Sequence, residues 1–129
     1  MILTLRTDQP RAELGLYDKD QQLAELKWQA DRQLSDGLLG KIEELLKQQQ
    51  ADLTNLTGLV VFEGPGSFTG LRIGHTVANT LAYSLDIPIV TTDGDDWITT
   101  GLAKLAAGDN AKVILPAYGH AANITKPKK

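Results

Sequence analysis

The chain has 129 residues, a formal net charge of −3, a sequence pI of about 5.3 and 42% hydrophobic residues. That suits one compact domain and supplies no global positive field to draw it to nucleic acid. Cysteine is absent, which excludes disulfides, thiol catalysis and cysteine-based metal sites. No apolar run approaches the ~18 residues needed to cross a membrane and no signal-peptide pattern opens the chain, so a soluble cytoplasmic domain is expected.

Three extended stretches come first. Ile2 to Thr7 sets Ile2, Thr4 and Arg6 against Leu3 and Leu5. Arg11 to Tyr17 places Ala12, Leu14 and Leu16 on one face. Gln21 to Trp28 alternates Leu23 and Glu25 with Ala24, Leu26 and Trp28. With turn-like separators at Asp8-Gln9-Pro10 and Asp18-Lys19-Asp20, the pattern predicts an antiparallel meander. A helical period follows in Leu34, Leu38, Leu39, Ile42, Leu45 and Leu46, with Ser35 as N-cap candidate, Asp36 in the first turn, and Gln48 to Gln50 continuing the helix or fraying from it. Gly58 to Phe62 reads as a strand buried on both faces. It leads through a glycine-rich turn into a helix over about Ser67 to Leu85, capped by Ser67 or Thr69. Ile87 to Val90 reads as a strand, Asp96 to Ala107 as a third helix and Lys112 to Leu115 as a last strand. The order strand, strand, strand, helix, strand, helix, strand predicts an α/β fold. It is that of a ribonuclease H-like or actin-like (ASKHA) half, a mixed five-stranded sheet with helices packed on it.

A strand, a glycine-rich turn and a helix make the general geometry of an anion site, because the first helical amides lack partners. The Walker A pattern fails, since Leu71 and Arg72 follow Gly70. The dinucleotide pattern is weakened by the spacing of Gly64, Gly66 and Gly70, although Asp93 stands where a ribose ligand would. The other reading is that the glycines permit a tight turn and close packing of helix on sheet. His75 and His120 have no ligand-spaced companions and are expected to face solvent or a partner. Asp93, Asp95 and Asp96 are expected to cap a helix and complement its dipole. Ser67 has no adjacent base, and the Lys126, Lys128, Lys129 tail reads as a solvated end. Catalytic, cofactor-binding and metal residues are therefore not assigned.

The run Gly64, Pro65, Gly66, Ser67, Phe68, Thr69, Gly70, Leu71, Arg72, Ile73, Gly74 resembles, residue for residue, the signature of the TsaB (YeaZ) family. Ile2 to Asp8 resembles the family's opening strand, and Leu34-Ser35-Asp36 with the leucines after it resembles its first helix. The resemblance covers about residues 1–115 and implies an actin-like N-terminal domain followed by a tail at 116–129, a short form lacking most of the second domain. It also implies a non-catalytic scaffold, without cofactor, for a TsaD-type enzyme that makes threonylcarbamoyladenosine on tRNA. The TsaD-type subunit would be held as a heterodimer. A TsaE-type ATPase would join through the complex, tRNA would be met only indirectly, and a homodimer is expected when the chain is alone. The chain departs from the family in two motifs. Arg6, Thr7 and Asp8 stand where Asp-Thr-Ser is usual, and Leu34, Ser35 and Asp36 where His-Ser-Glu is usual. Arg6 cannot ligate Mg²⁺, although Asp8 stands two residues on.

The expected partner interface is Leu34, Ser35, Leu38, Leu39, Ile42 and Leu45 of the first helix with Ile73 and Val77 of the second. Core packing is the competing account of the leucines. Gly37 and Gly40, each costing about 1 kcal/mol inside a helix, fit close approach of a partner helix or a softened first turn. The alternative function is a small nucleotide-binding enzyme of the actin-like class, using Asp8 and the glycine-rich turn.

Overall fold

The computed structural model describes residues 1–30 and 34–117. Its elements are β1 (Ile2–Arg6), β2 (Arg11–Asp18), β3 (Gln21–Gln29), α1 (Leu34–Lys47), a short 3-10 turn (Leu53–Asn55), β4 (Gly58–Phe62), α2 (Phe68–Leu85), β5 (Ile89–Thr92) and α3 (Trp97–Ala106). The strands form one mixed sheet in the order β3-β2-β1-β4-β5. The meander is antiparallel, with Leu5 opposite Leu14 and Leu14 opposite Leu26. β4 and β5 are added in parallel. This is the five-stranded mixed architecture that the alternation and the apolar run predict.

Alternation decides the two faces. Leu3, Leu5, Leu14, Leu16, Leu59, Val61 and Ile89 point to the side covered by α1 and α2. Val60, Phe62 and Val90 point to the other side, where α3 supplies Trp97. β4 is buried at every residue because both of its faces are covered. Phe62 and Trp97 meet edge to face, with ring centroids 5.7 Å apart.

Several boundaries differ from the sequence reading. α1 begins at Leu34, so Ser35 lies inside the first turn and is not the N-cap. Gln48 to Gln50 fray from the helix, the second of the two expected outcomes: Gln50 takes the left-handed conformation (φ 52°), and Ala51 N–H donates to Leu46 O at 3.0 Å. α2 closes in the same way on Asp86 (φ 54°), which delays β5 to Ile89 instead of Ile87. Lys112 to Leu115 form no strand. The outer edge of β5 is met by Asn110, Ala111 and the Lys104 ammonium, which donates to Thr91 O at 3.3 Å, and the Asn79 side chain grips both backbone groups of Ile114. Val113 and Leu115 project into solvent on either side of that clamp.

Candidate functional site

The glycine-rich turn follows β4 and rests on the end of β1. Ser67 N–H donates to Asp8 O at 2.8 Å, and the Thr7 hydroxyl donates to Gly70 O at 2.8 Å. A Cβ at Gly74 would overlap Thr7 Oγ1, and one at Gly70 would overlap the Thr7 carbonyl. These glycines therefore allow α2 to lie directly on Thr7. Ser67 is the N-cap, its Oγ accepting from Gly70 N at 3.3 Å, which decides between the two cap candidates. Two amides that a phosphate would need are thus already bonded within the chain.

Asp8 is buried, and both of its carboxylate oxygens are taken by Arg6, Nε to Oδ1 at 2.7 Å and Nη2 to Oδ2 at 3.1 Å. The guanidinium also lies 4.0 Å above the Phe62 ring. The Arg6 cation occupies the coordination sites through which Asp8 would reach a divalent ion. Arg6 and Asp8 thus form a closed pair beside the turn, and the residues present do not fit a metal–nucleotide. Among the described residues no three His, Asp or Glu gather as a metal-binding group.

His75 corrects the expectation of a solvated or partner-facing imidazole. It is 2% exposed, its Nδ1 is 2.8 Å from Leu71 O, and its Nε2 has no partner. Nδ1 must carry the proton to donate to that carbonyl. Burial lowers the pKa, and the bond to Leu71 opposes the shift. Asp93, Asp95 and Asp96 are exposed, and Asp96 holds the N-cap position of α3 without a side-chain cap bond. His120 and the tail lysines lie outside the described residues.

The proposed interface residues separate into two groups. Leu34, Leu38, Ile42 and Leu45 are 4%, 0%, 0% and 0% exposed, within the chain's own core. They are corrected from partner contacts to core packing, because the α1 stripe they form is the side that covers the sheet. Ser35 and Leu39 are exposed, Leu39 at 44%, and Ile73 and Val77 are half-buried. A shallow groove of about 370 Å³ joins Ser35 to Phe68, Arg72, Ile73, Thr76 and Val77 between the two helices. Gly37 and Gly40 have nothing within 4 Å of a built Cβ, so no close approach among the described residues explains them. Phe68 (53% exposed), singled out in the sequence only as part of the signature turn, and Tyr83 (90%), not singled out there, extend the surface. The signal for Tyr83 was the three- and four-residue spacing of Thr69, Ile73, Thr76, Thr80 and Tyr83 on the outer side of α2. In all 18 residues of α2 the one Lys, Arg, Asp or Glu is Arg72.

The family described as TsaD, tRNA N6-adenosine threonylcarbamoyltransferase, matches residues 28–94, just over half of the chain. The TsaB protein of Bacillus subtilis is 38% identical over 88 residues, covering 68% of this chain and 38% of that protein. The TsaB protein of Haemophilus influenzae is 36% identical, covering 68% and 37%. The chain belongs to this family, within its TsaB group. A solved structure of YeaZ from Pseudomonas aeruginosa superposes with a TM-score of 0.67 at 25% identity, over 83% of this chain and 49% of the other. The actin-like architecture is therefore the TsaB fold. This TsaB-family chain spans less than two fifths of the length of those two curated relatives. The matched segment contains α1, β4 and α2 with the whole glycine signature. No helix among the described residues is long and apolar enough to cross a membrane.

Proposed function

We propose that the chain is a non-catalytic scaffold that docks on a TsaD-type subunit as a heterodimer and supports threonylcarbamoyladenosine modification of tRNA. The observation that carries this is the outer surface of α1 and α2: Leu39, Phe68, Ile73, Val77 and Tyr83 around a groove, with Arg72 as the one charge on α2. Charge depletion with aromatic and aliphatic residues marks the centre of protein interfaces. Residues 1–115 act as the docking domain and 116–129 as a tail. The TsaE-type ATPase and tRNA are reached through the enzyme, in the cytoplasm, and the chain forms a homodimer when the enzyme is absent. Scaffolding is also supported by the Arg6–Asp8 pair, which occupies the carboxylate that the nucleotide-binding alternative would have to use.

Co-purification with a TsaD-type protein tests the reading. Leu39→Asp and Ile73→Asp should each abolish capture while leaving the circular dichroism spectrum intact. Retained capture by both folded variants would remove this surface from consideration. Calorimetry with ATP and Mg²⁺ tests the nucleotide alternative, which micromolar affinity would restore.

A further inference from the structure

The two edges of the sheet are unlike. The outer side of β5 is met by Asn110 and Ala111, through Ile89 N–H to Asn110 Oδ1 at 3.1 Å and Ala111 N–H to Ile89 O at 2.8 Å. The outer side of β3 carries no strand among the described residues, over nine residues without proline. Such an edge is a template for another strand, and natural edges are commonly guarded by charge. Here the charges are Glu25 and Lys27, both exposed, flanking Leu26 on the face opposite to it. On the other face Ala24, Leu26 and Trp28 are only half-covered, although they pack against the core beside α1.

The order of these residues is self-complementary. A two-fold axis perpendicular to the sheet keeps each face on its own side, so opposed residues must share a face. Centred on Leu26, it sets Leu26 against Leu26, Ala24 against Trp28, and Glu25 against Lys27 twice over. Centred one residue earlier, it opposes Glu25 to Glu25. Centred one residue later, it opposes Lys27 to Lys27. Like charges directly opposed destabilise a ladder and opposite charges support it. The charges that would repel in the neighbouring registers select the one between them.

We propose that β3 is a homodimerisation edge. It would pair antiparallel with β3 of a second copy in the Leu26-centred register, making one ten-stranded sheet. The surface is separate from the helix face assigned to the enzyme.

Sedimentation velocity on the 129-residue chain, up to about 0.5 mM, reads the dimer directly. Glu25→Lys turns both attractive pairs into repulsive ones and should raise the dimer dissociation constant about tenfold. The swap Glu25→Lys with Lys27→Glu should restore it. Since the chain has no cysteine, Leu26→Cys provides a sole thiol. On the axis its two copies would lie about 4.5–5.5 Å apart at Cα, within disulfide reach, and mild oxidation should cross-link them. A monomer throughout the range would overturn the proposal. So would a dimer indifferent to Glu25→Lys, or one lost on Leu39→Asp instead.

Discussion

Gly74→Ala is the sharpest test of why the signature is rich in glycine. The added methyl would overlap Thr7 Oγ1, and Thr7 Cβ and Cγ2 lie at 3.1 Å from the same point. Overpacking of this kind costs about 1–3 kcal/mol, set against a gain of up to about 1 kcal/mol from replacing glycine inside a helix. A net loss of about 1–2 kcal/mol is expected. Thr7→Ala alone removes the hydrogen bond to Gly70 O, worth about 1 kcal/mol. In that background the hydroxyl and its methyl are gone, so Gly74→Ala should become close to neutral. The pair is therefore coupled by about 1–2 kcal/mol, with the double variant more stable than the sum of the singles. Urea denaturation at constant m-value measures all four corners of the cycle. Equal cost of Gly74→Ala in both backgrounds would refute the claim that this glycine exists to admit Thr7.

Three further outcomes follow from the same geometry. Leu38→Ala should lose about 2–5 kcal/mol as a fully buried leucine, whereas its neighbour Leu39→Ala should stay within about 0.5 kcal/mol, both by urea denaturation. Arg6→Ala leaves Asp8 buried and unpaired, and should destabilise by about 2 kcal/mol, the partial exposure of Arg6 reducing the usual cost of a broken buried pair. His75 has its pKa lowered by burial, so as pH falls through about 6.5 the unfolded chain takes up a proton that the folded chain refuses. Stability should be constant above that pH, decline below it, and lose this part of its pH dependence in His75→Leu.

The meander and the parallel additions were legible because alternation and an unbroken apolar run each admit one placement in a half-covered or doubly covered sheet. The signature turn was legible as a turn, but not as a seat for Thr7, since that contact joins residues more than sixty positions apart. Leu34, Leu38, Ile42 and Leu45 were misassigned for a related reason. Helical spacing says that a stripe is apolar, and it does not say whether the chain's own sheet or another protein covers it. The sheet's Leu14 and Leu16 take that stripe here, leaving Leu39 as the residue of the series that faces out. His75 was read as facing solvent or a partner because no ligand-spaced companion stands near it, yet it is one of the buried residues of α2, next to Gly74 in sequence. The strand expected at Lys112 to Leu115 was lost to a side chain, Asn79, which satisfies the backbone of Ile114 that a ladder would otherwise have needed.

The helix face and the β3 edge constrain each other when both are occupied. The edge lies in the plane of the sheet, while the outer surface of α1 and α2 lies above it. A two-fold axis perpendicular to the sheet carries both helix pairs to the same side of the ten-stranded sheet, so neither is covered by dimerisation. Two enzyme subunits would then bind one dimer, and the complex would have a two-to-two mass. Glu25→Lys should reduce that mass to one-to-one without weakening capture of the enzyme, because no charge on β3 touches the groove between the helices. If Glu25→Lys instead abolished capture, the two surfaces would be parts of one interface, and the assignment of the enzyme to α1 and α2 alone would fail.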